Sequence, residues 1–129
     1  MKKPKIFIAC DTTSIKKIKK IITNSQSSKI NFGYKFGLEF LNSKNGRKFL
    51  ASLKSKVTFG DYKLADIPNT CASTIKAVRD LKLNYITIHI YKNYLLFLIS
   101  ERIHHSSQVK PVSTSKNLAI LKFKWMISS

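Results

Sequence analysis

Hydrophobic and polar positions switch between two periods over the first 90 residues. KIFIAC (5–10) is a short apolar run rich in β-formers, the pattern of a buried strand. Thr12, Thr13 and Ser14 then offer helix caps ahead of Ile15, Ile18 and Ile22, an i, i+3, i+7 stripe along one helical face. Residues 30–36 predict a second strand that stops at Gly37. Residues 43–54 predict a second helix, with Phe49, Leu50 and Leu53 as its apolar face. A third strand is expected over 56–62 and a third helix over 69–81, with Ile75 and Val78 turned inward and Lys76, Arg79 and Asp80 outward. YITIHI (85–90) reads as a fourth strand. The order is βαβαβαβ, which predicts an α/β fold built on a parallel sheet with right-handed crossovers.

Beyond residue 90 the alternation stops. Residues 91–102, which include YLLFLI (94–99), fit a helix or a strand equally well. HHSSQVKPVSTSKN (104–117) is polar and turn-rich, and LAILKFKWMI (118–127) reads as a strand. The four glycines, at 33, 37, 46 and 60, all precede this change. The chain therefore divides into a regular segment, 1–90, and a divergent tail, 91–129, expected to be irregular or disordered.

Composition narrows the class without choosing a function. With 129 residues, 43% of them hydrophobic and 23% charged, the chain suits one soluble domain with a single core. No stretch approaches the roughly 20 apolar residues of a membrane span, so no membrane partner is expected. The opening MKKPKIFIACDTT has too short an apolar run for a secretory leader and reads as the first strand of a cytoplasmic protein. Cys10 and Cys71 lack metal-ligand spacing and read as small buried thiols in a reducing compartment. The rings of the adjacent pair His104 and His105 diverge on any regular element, so no metal site is expected.

The net charge of +18 points towards nucleic acid or another acidic surface. Against that, the excess is 21 Lys against 3 Arg, and Arg is the residue suited to forked phosphate contacts. The densest basic run, IKKIKKII (15–22), has the spacing of the wet face of an amphipathic helix. A solvated surface is the expected role, and nucleic acid is not the expected partner.

Only six carboxylates stand against these 24 cations, yet two of them, Asp61 and Asp66, bracket Lys63 in FGDYKLADIPNT (59–70). Residues two apart on a strand face the same way, so Asp61 and Lys63 are expected to project together from the C-terminal end of strand three. In a βα scaffold that end carries the chemistry. Asp66 follows in the loop before Pro68. Flanking carboxylates favour a protonated lysine, a cation able to act as a general acid, and they form a negative wall against any bound anion. Asp11 ends strand one and Lys35 lies near the end of strand two. In a parallel barrel Asp11, Lys35, Asp61 and Lys63 share one rim.

These motifs resemble the orotidine 5'-phosphate decarboxylase family, whose pattern is DxKxxDIPNT. IACDTT with Asp11, YKFGLEF with Lys35 and TIH (87–89) match three further family motifs, and the similarity covers about residues 4–90. The resemblance implies the N-terminal half of a TIM (β/α)8 barrel, strands one to four. It implies decarboxylation of orotidine monophosphate to UMP in pyrimidine biosynthesis, with neither metal nor organic cofactor, in a cytoplasmic homodimer. Lys63 would donate the proton to C6, and Asp61 and Asp66 would flank the substrate carboxylate, Asp66 in the neighbouring subunit's site. Lys35 would hold the charged array and touch the ribose, Asp11 and Thr70 would bind ribose hydroxyls, and Ile67 would line the pyrimidine.

Sugar-phosphate decarboxylases and aldolases of the same barrel superfamily are the nearest alternative. They share DxKxxD, but usually carry an acid where this chain has Lys35 and lack the IPNT continuation. The other alternative is a small basic nucleic-acid-binding protein with Trp125 and the tyrosines as stacking surfaces. The match also has a boundary. A complete barrel needs eight βα units and roughly 250 residues, and the family's glycine turn after TIH and its Gly-x-Arg phosphate loop have no counterpart in 91–129. The expectation is a truncated chain with an out-of-frame tail, unpaired edges on strands one and four, and doubtful activity.

Overall fold

The computed structural model describes residues 6–89, 101, 107–115 and 118–125. It divides into two compact units, Met1–Asp61 and Tyr62–Ser129. Strands and helices alternate along the chain as far as His89, the order of the N-terminal half of an α/β barrel.

In the first unit, strand β1 (Ile6–Cys10) pairs in parallel with β2 (Phe32–Gly37), and β2 pairs in parallel with β3 (Val57–Leu64). Helix α1 (Ile15–Asn24) makes the first crossover. Ser14 caps it, its Oγ accepting the Lys17 N–H at 3.4 Å, and Ile18 and Ile22 of the expected stripe are buried. Lys16, Lys17, Lys19 and Lys20 form the exposed face, as the spacing predicts. At the far end the Ser25 hydroxyl donates to the Ile21 carbonyl at 2.8 Å and lies 2.8 Å from Tyr34 Oη, tying the helix to β2.

Between β2 and β3 the chain forms two helices where one was expected. Helix α2 (Leu38–Asn42) starts directly after Gly37 and buries Phe40 and Leu41, and helix α3 (Lys44–Ser52) follows. Ser43 is the elbow, since its Oγ donates to the Phe40 carbonyl at 2.9 Å and accepts the Gly46 N–H at 2.9 Å. Gly46 is required there, because a Cβ would overlap the Phe40 carbonyl oxygen. Gly33 has a similar reason on the sheet. It lies opposite Phe7, whose ring occupies the space of a Cβ and meets Phe59 edge-on at 5.2 Å.

The second unit holds the last residues of β3, helix α4 (Pro68–Ala77) with a 3-10 turn (Arg79–Leu81), and strands β4 (Tyr85–His89), β5 (Ser107–Ser115) and β6 (Leu118–Trp125). Cys71, Ala72, Ile75, Val78 and Leu81 are buried along the α4 segment, and Lys76 and Asp80 are exposed, in agreement with the periodicity. β4 pairs antiparallel with β6, placing Ile86 opposite Leu121 and Ile88 opposite Ala119, all four buried.

Two expectations for the tail therefore change. The edge of strand four is covered by β6, because 118–125 carries enough alternating apolar residues to extend the sheet. Residues 107–115 form a strand rather than a turn-rich segment. β5 pairs antiparallel with β6 and breaks register between Pro111 and Ser113. A proline lacks the N–H a ladder needs and is tolerated at an edge or irregularity of this kind. Residues 91–100 and the His104–His105 pair lie outside the described residues.

Candidate active site

Asp11 directly follows Cys10, the last residue of β1, and is exposed. Cys10 is in register with Phe36, and Phe36 with Gly60, so Asp11 leaves the sheet at the same end as Asp61. Lys35 lies between the buried Tyr34 and Phe36 and therefore points to the other side of β2. Its Nζ reaches Asp61 Oδ2 on β3 at 3.3 Å. The Asp61 side chain keeps only 12% of its surface exposed and that of Lys35 keeps 34%, so the pair is partly shielded from water. Of the residues expected on one rim, the first unit brings Lys35 and Asp61 together.

In the second unit Lys63 is exposed near the end of β3 and its backbone has φ 46°. That φ lies outside the extended range on which the two-residue alternation assumed for Asp61 and Lys63 rests. The Lys63 N–H donates to Thr87 Oγ1 on β4 at 2.9 Å. Asp66 is exposed in the loop, its Oδ1 accepting the Ile67 N–H at 2.7 Å at the entry to α4. Its carbonyl accepts a hydrogen bond from Cys71 Sγ at 3.4 Å, and the Cys71 N–H donates to the Ile67 carbonyl at 3.1 Å. Pro68 takes the first helical turn, where a missing N–H costs nothing. Ile67 is 64% exposed and Thr70 is exposed in the same turn, its carbonyl accepting from Thr74 Oγ1 at 2.9 Å.

Of the two neighbouring thiols, Cys71 is tied to the Asp66 carbonyl. Burial, reinforced by the negative charge of Asp11, pushes the Cys10 thiol up to about 11. Burial also raises Cys71, opposed by its hydrogen bond to the Asp66 backbone. Both cysteines are free and buried, as their spacing predicts. Among the described residues no cluster of His, Cys, Asp and Glu could hold a metal ion. No described helix is long and apolar enough to cross a membrane. A polar cavity of about 220 Å³ lined by Ser25, Ser27, Asn31, Tyr34 and Lys56 lies at the N-terminal ends of β2 and β3, the opposite end from Asp61.

The sequence model of the orotidine 5'-phosphate decarboxylase / HUMPS family matches residues 4–94. The chain belongs to this family. Membership makes the alternating segment part of a TIM barrel and places the chain in a family of decarboxylases. The orotidine 5'-phosphate decarboxylase of Wolbachia sp. subsp. Brugia malayi (strain TRS) is 42% identical over 57 residues. That alignment takes in 43% of this chain and 25% of the relative, so the chain spans about a quarter of the curated relative it matches.

One residue that touches a candidate site residue, Thr87, is not marked by the strand pattern. Thr87 stands in the TIH motif, but nothing in a strand pattern signals that its hydroxyl receives the Lys63 N–H. Its place in the TIH motif, between two isoleucines, is the trace it leaves.

Proposed function

We propose that this chain carries the charged half of an orotidine 5'-phosphate decarboxylase site, with orotidine monophosphate as substrate and UMP as product. The observation that carries the reading is the Lys35–Asp61 ion pair, which joins two family motifs at adjacent strand ends. In this reaction the bond between C6 and the carboxylate carbon breaks, CO2 leaves, and the electron pair remains on C6. Lys63 delivers its Nζ proton to C6 and regains one from water. A preplaced ammonium stabilises the charge as it develops. Asp61 and Asp66 flank the departing carboxylate, Lys35 holds Asp61 and reaches the ribose, Asp11 and Thr70 take ribose hydroxyls, and Ile67 covers the pyrimidine.

No metal or organic cofactor enters this scheme. The proposal extends to a homodimer in which Asp66 serves the neighbouring subunit's site, and to a place in cytoplasmic pyrimidine biosynthesis. The matched relative's name and the Lys35 position favour this substrate over a sugar phosphate. The test is CO2 release from orotidine 5'-phosphate by the purified chain, with Lys63→Ala as control. Slow but lysine-dependent formation of UMP is expected, well below a complete barrel. The reason is that 91–129 supplies no Gly-x-Arg phosphate grip, and remote binding energy contributes to turnover. Equal rates for the chain and Lys63→Ala overturn the proposal.

A further inference from the structure

Lys63 has a left-handed backbone, φ 46°, within a strand. A residue with a Cβ occupies that region at an energetic cost and holds it only where its surroundings impose it. Among the described residues one other non-glycine has positive φ, Lys82 at 50°. Lys82 is the C-cap of the 3-10 turn, an ordinary place for this conformation. Lys63 ends no helix. What accompanies its conformation is a hydrogen bond, from its own N–H to Thr87 Oγ1 at 2.9 Å.

The acceptor is firmly held. Thr87 is 4% exposed between Ile86 and Ile88, both fully buried, and β4 is paired along that stretch with β6, Thr87 standing opposite Ile120. The Lys63 N–H bond to this hydroxyl is partly buried, and a partly buried N–H left unmatched is destabilising. The Thr87 hydroxyl supplies an acceptor for this N–H and so favours one backbone state for Lys63. That state sets the direction in which the Cα–Cβ bond and the ammonium leave the strand.

We propose that Thr87 is a positioning residue for Lys63, its buried hydroxyl locking the left-handed backbone that aims the proton-donating ammonium. The inference rests on the decarboxylase reading for the importance of Lys63, though the lock itself is a property of the fold. Geometry of this kind bears on turnover rather than affinity, since a small misplacement of a reacting group slows the chemical step.

The experiment compares Thr87→Val, Thr87→Ala and Thr87→Ser with the unaltered chain by amide hydrogen exchange and by orotidine 5'-phosphate turnover. Valine keeps the shape of β4 but removes the acceptor, alanine removes it without adding a methyl group, and serine retains it. Exchange at Lys63 should accelerate about tenfold or more in the valine and alanine variants, with Tyr85 and Ile88 unchanged, and should be restored by serine. Turnover should fall roughly 10- to 100-fold in kcat with KM little altered, again restored by serine. A Lys63 amide equally protected without the hydroxyl, or equally exposed with serine, overturns the proposal. If the unaltered chain shows no lysine-dependent turnover, the decarboxylase reading fails, and the exchange result still decides the lock.

Discussion

Lys35 on β2 and Asp61 on β3, 26 positions apart in the chain, meet with Nζ 3.3 Å from Oδ2. A partly exposed pair of this kind contributes little to folding, about 1 kcal/mol or less. Its value lies in fixing where two opposite charges stand. Lys35→Ala and Asp61→Ala should each shift the urea midpoint only slightly, yet each should reduce kcat/KM for orotidine 5'-phosphate at least 100-fold. The double variant should lose little more than either single one, because residues acting as a unit are not additive. Chemical denaturation beside a four-member mutant cycle checks this, and a large stability loss with intact turnover would reverse the assignment.

Cys10 provides a pH-dependent test of the core. Its thiol is raised from 9.0 to about 11, first by burial and then by the Asp11 charge. The folded chain therefore keeps the proton where the unfolded chain gives it up, and the unfolded state binds fewer protons between these values. The contribution is complete below pH 9 and is lost as pH rises through about 11. Stability should fall over that window, and Cys10→Ala should flatten the fall. Thermal melts from pH 8 to 11 measure both. Alkylation of native Cys10 at pH 8 should also lag far behind that of the unfolded chain.

The parts of this fold that sequence exposes are those whose side chains obey a single period. Ile18 and Ile22, Phe36, Ile75 and Val78 are buried where the 3.6- and 2-residue patterns put them. What sequence hides depends on one backbone torsion or on a distant partner. Lys63 reads as one more strand residue until its φ of 46° places it outside the extended range. Helix α2 escapes because LEFLN is too short to show a period, and Ser43 closes one helix while opening the next. β5 contains Pro111 and a run of hydroxyl side chains, so its strand character comes from pairing with β6 rather than from its own composition. At the candidate site, Lys35 and Asp61 lie two positions out of register on adjacent strands and meet through the length of the lysine side chain, whereas the Lys63–Thr87 bond has no signature in residue spacing.

Gly46 is a test of the elbow that sequence did not foresee. A methyl group there meets the Phe40 carbonyl oxygen, a backbone atom that cannot swing aside. In an ordinary exposed helix Gly→Ala is favourable by about 1 kcal/mol. Here the sign should reverse, with Gly46→Ala destabilising by about 1–3 kcal/mol. Ser43→Ala should cost about 1 kcal/mol, since the same hydroxyl accepts the Gly46 N–H. Urea denaturation of the two variants distinguishes a packed elbow from a loose junction, in which Gly46→Ala would be neutral or stabilising.

The tail is the remaining question, and Leu121 addresses it directly. The residue is 2% exposed and lies opposite Ile86 on β4, while Phe123, 3% exposed, sends its N–H to the Asn84 carbonyl at 2.9 Å. A stretch of chain unrelated to the core would leave such side chains in water, and truncating one would change nothing. Burial at this level instead makes Leu121→Ala a cavity-forming substitution worth about 2–5 kcal/mol. The exposed neighbour Lys122 supplies the contrast, because Lys122→Ala should stay within about 0.5 kcal/mol. Denaturation midpoints for the two variants decide between a tail that completes the second unit and one that merely accompanies it. A Leu121→Ala midpoint equal to that of Lys122→Ala would remove β6 from the core.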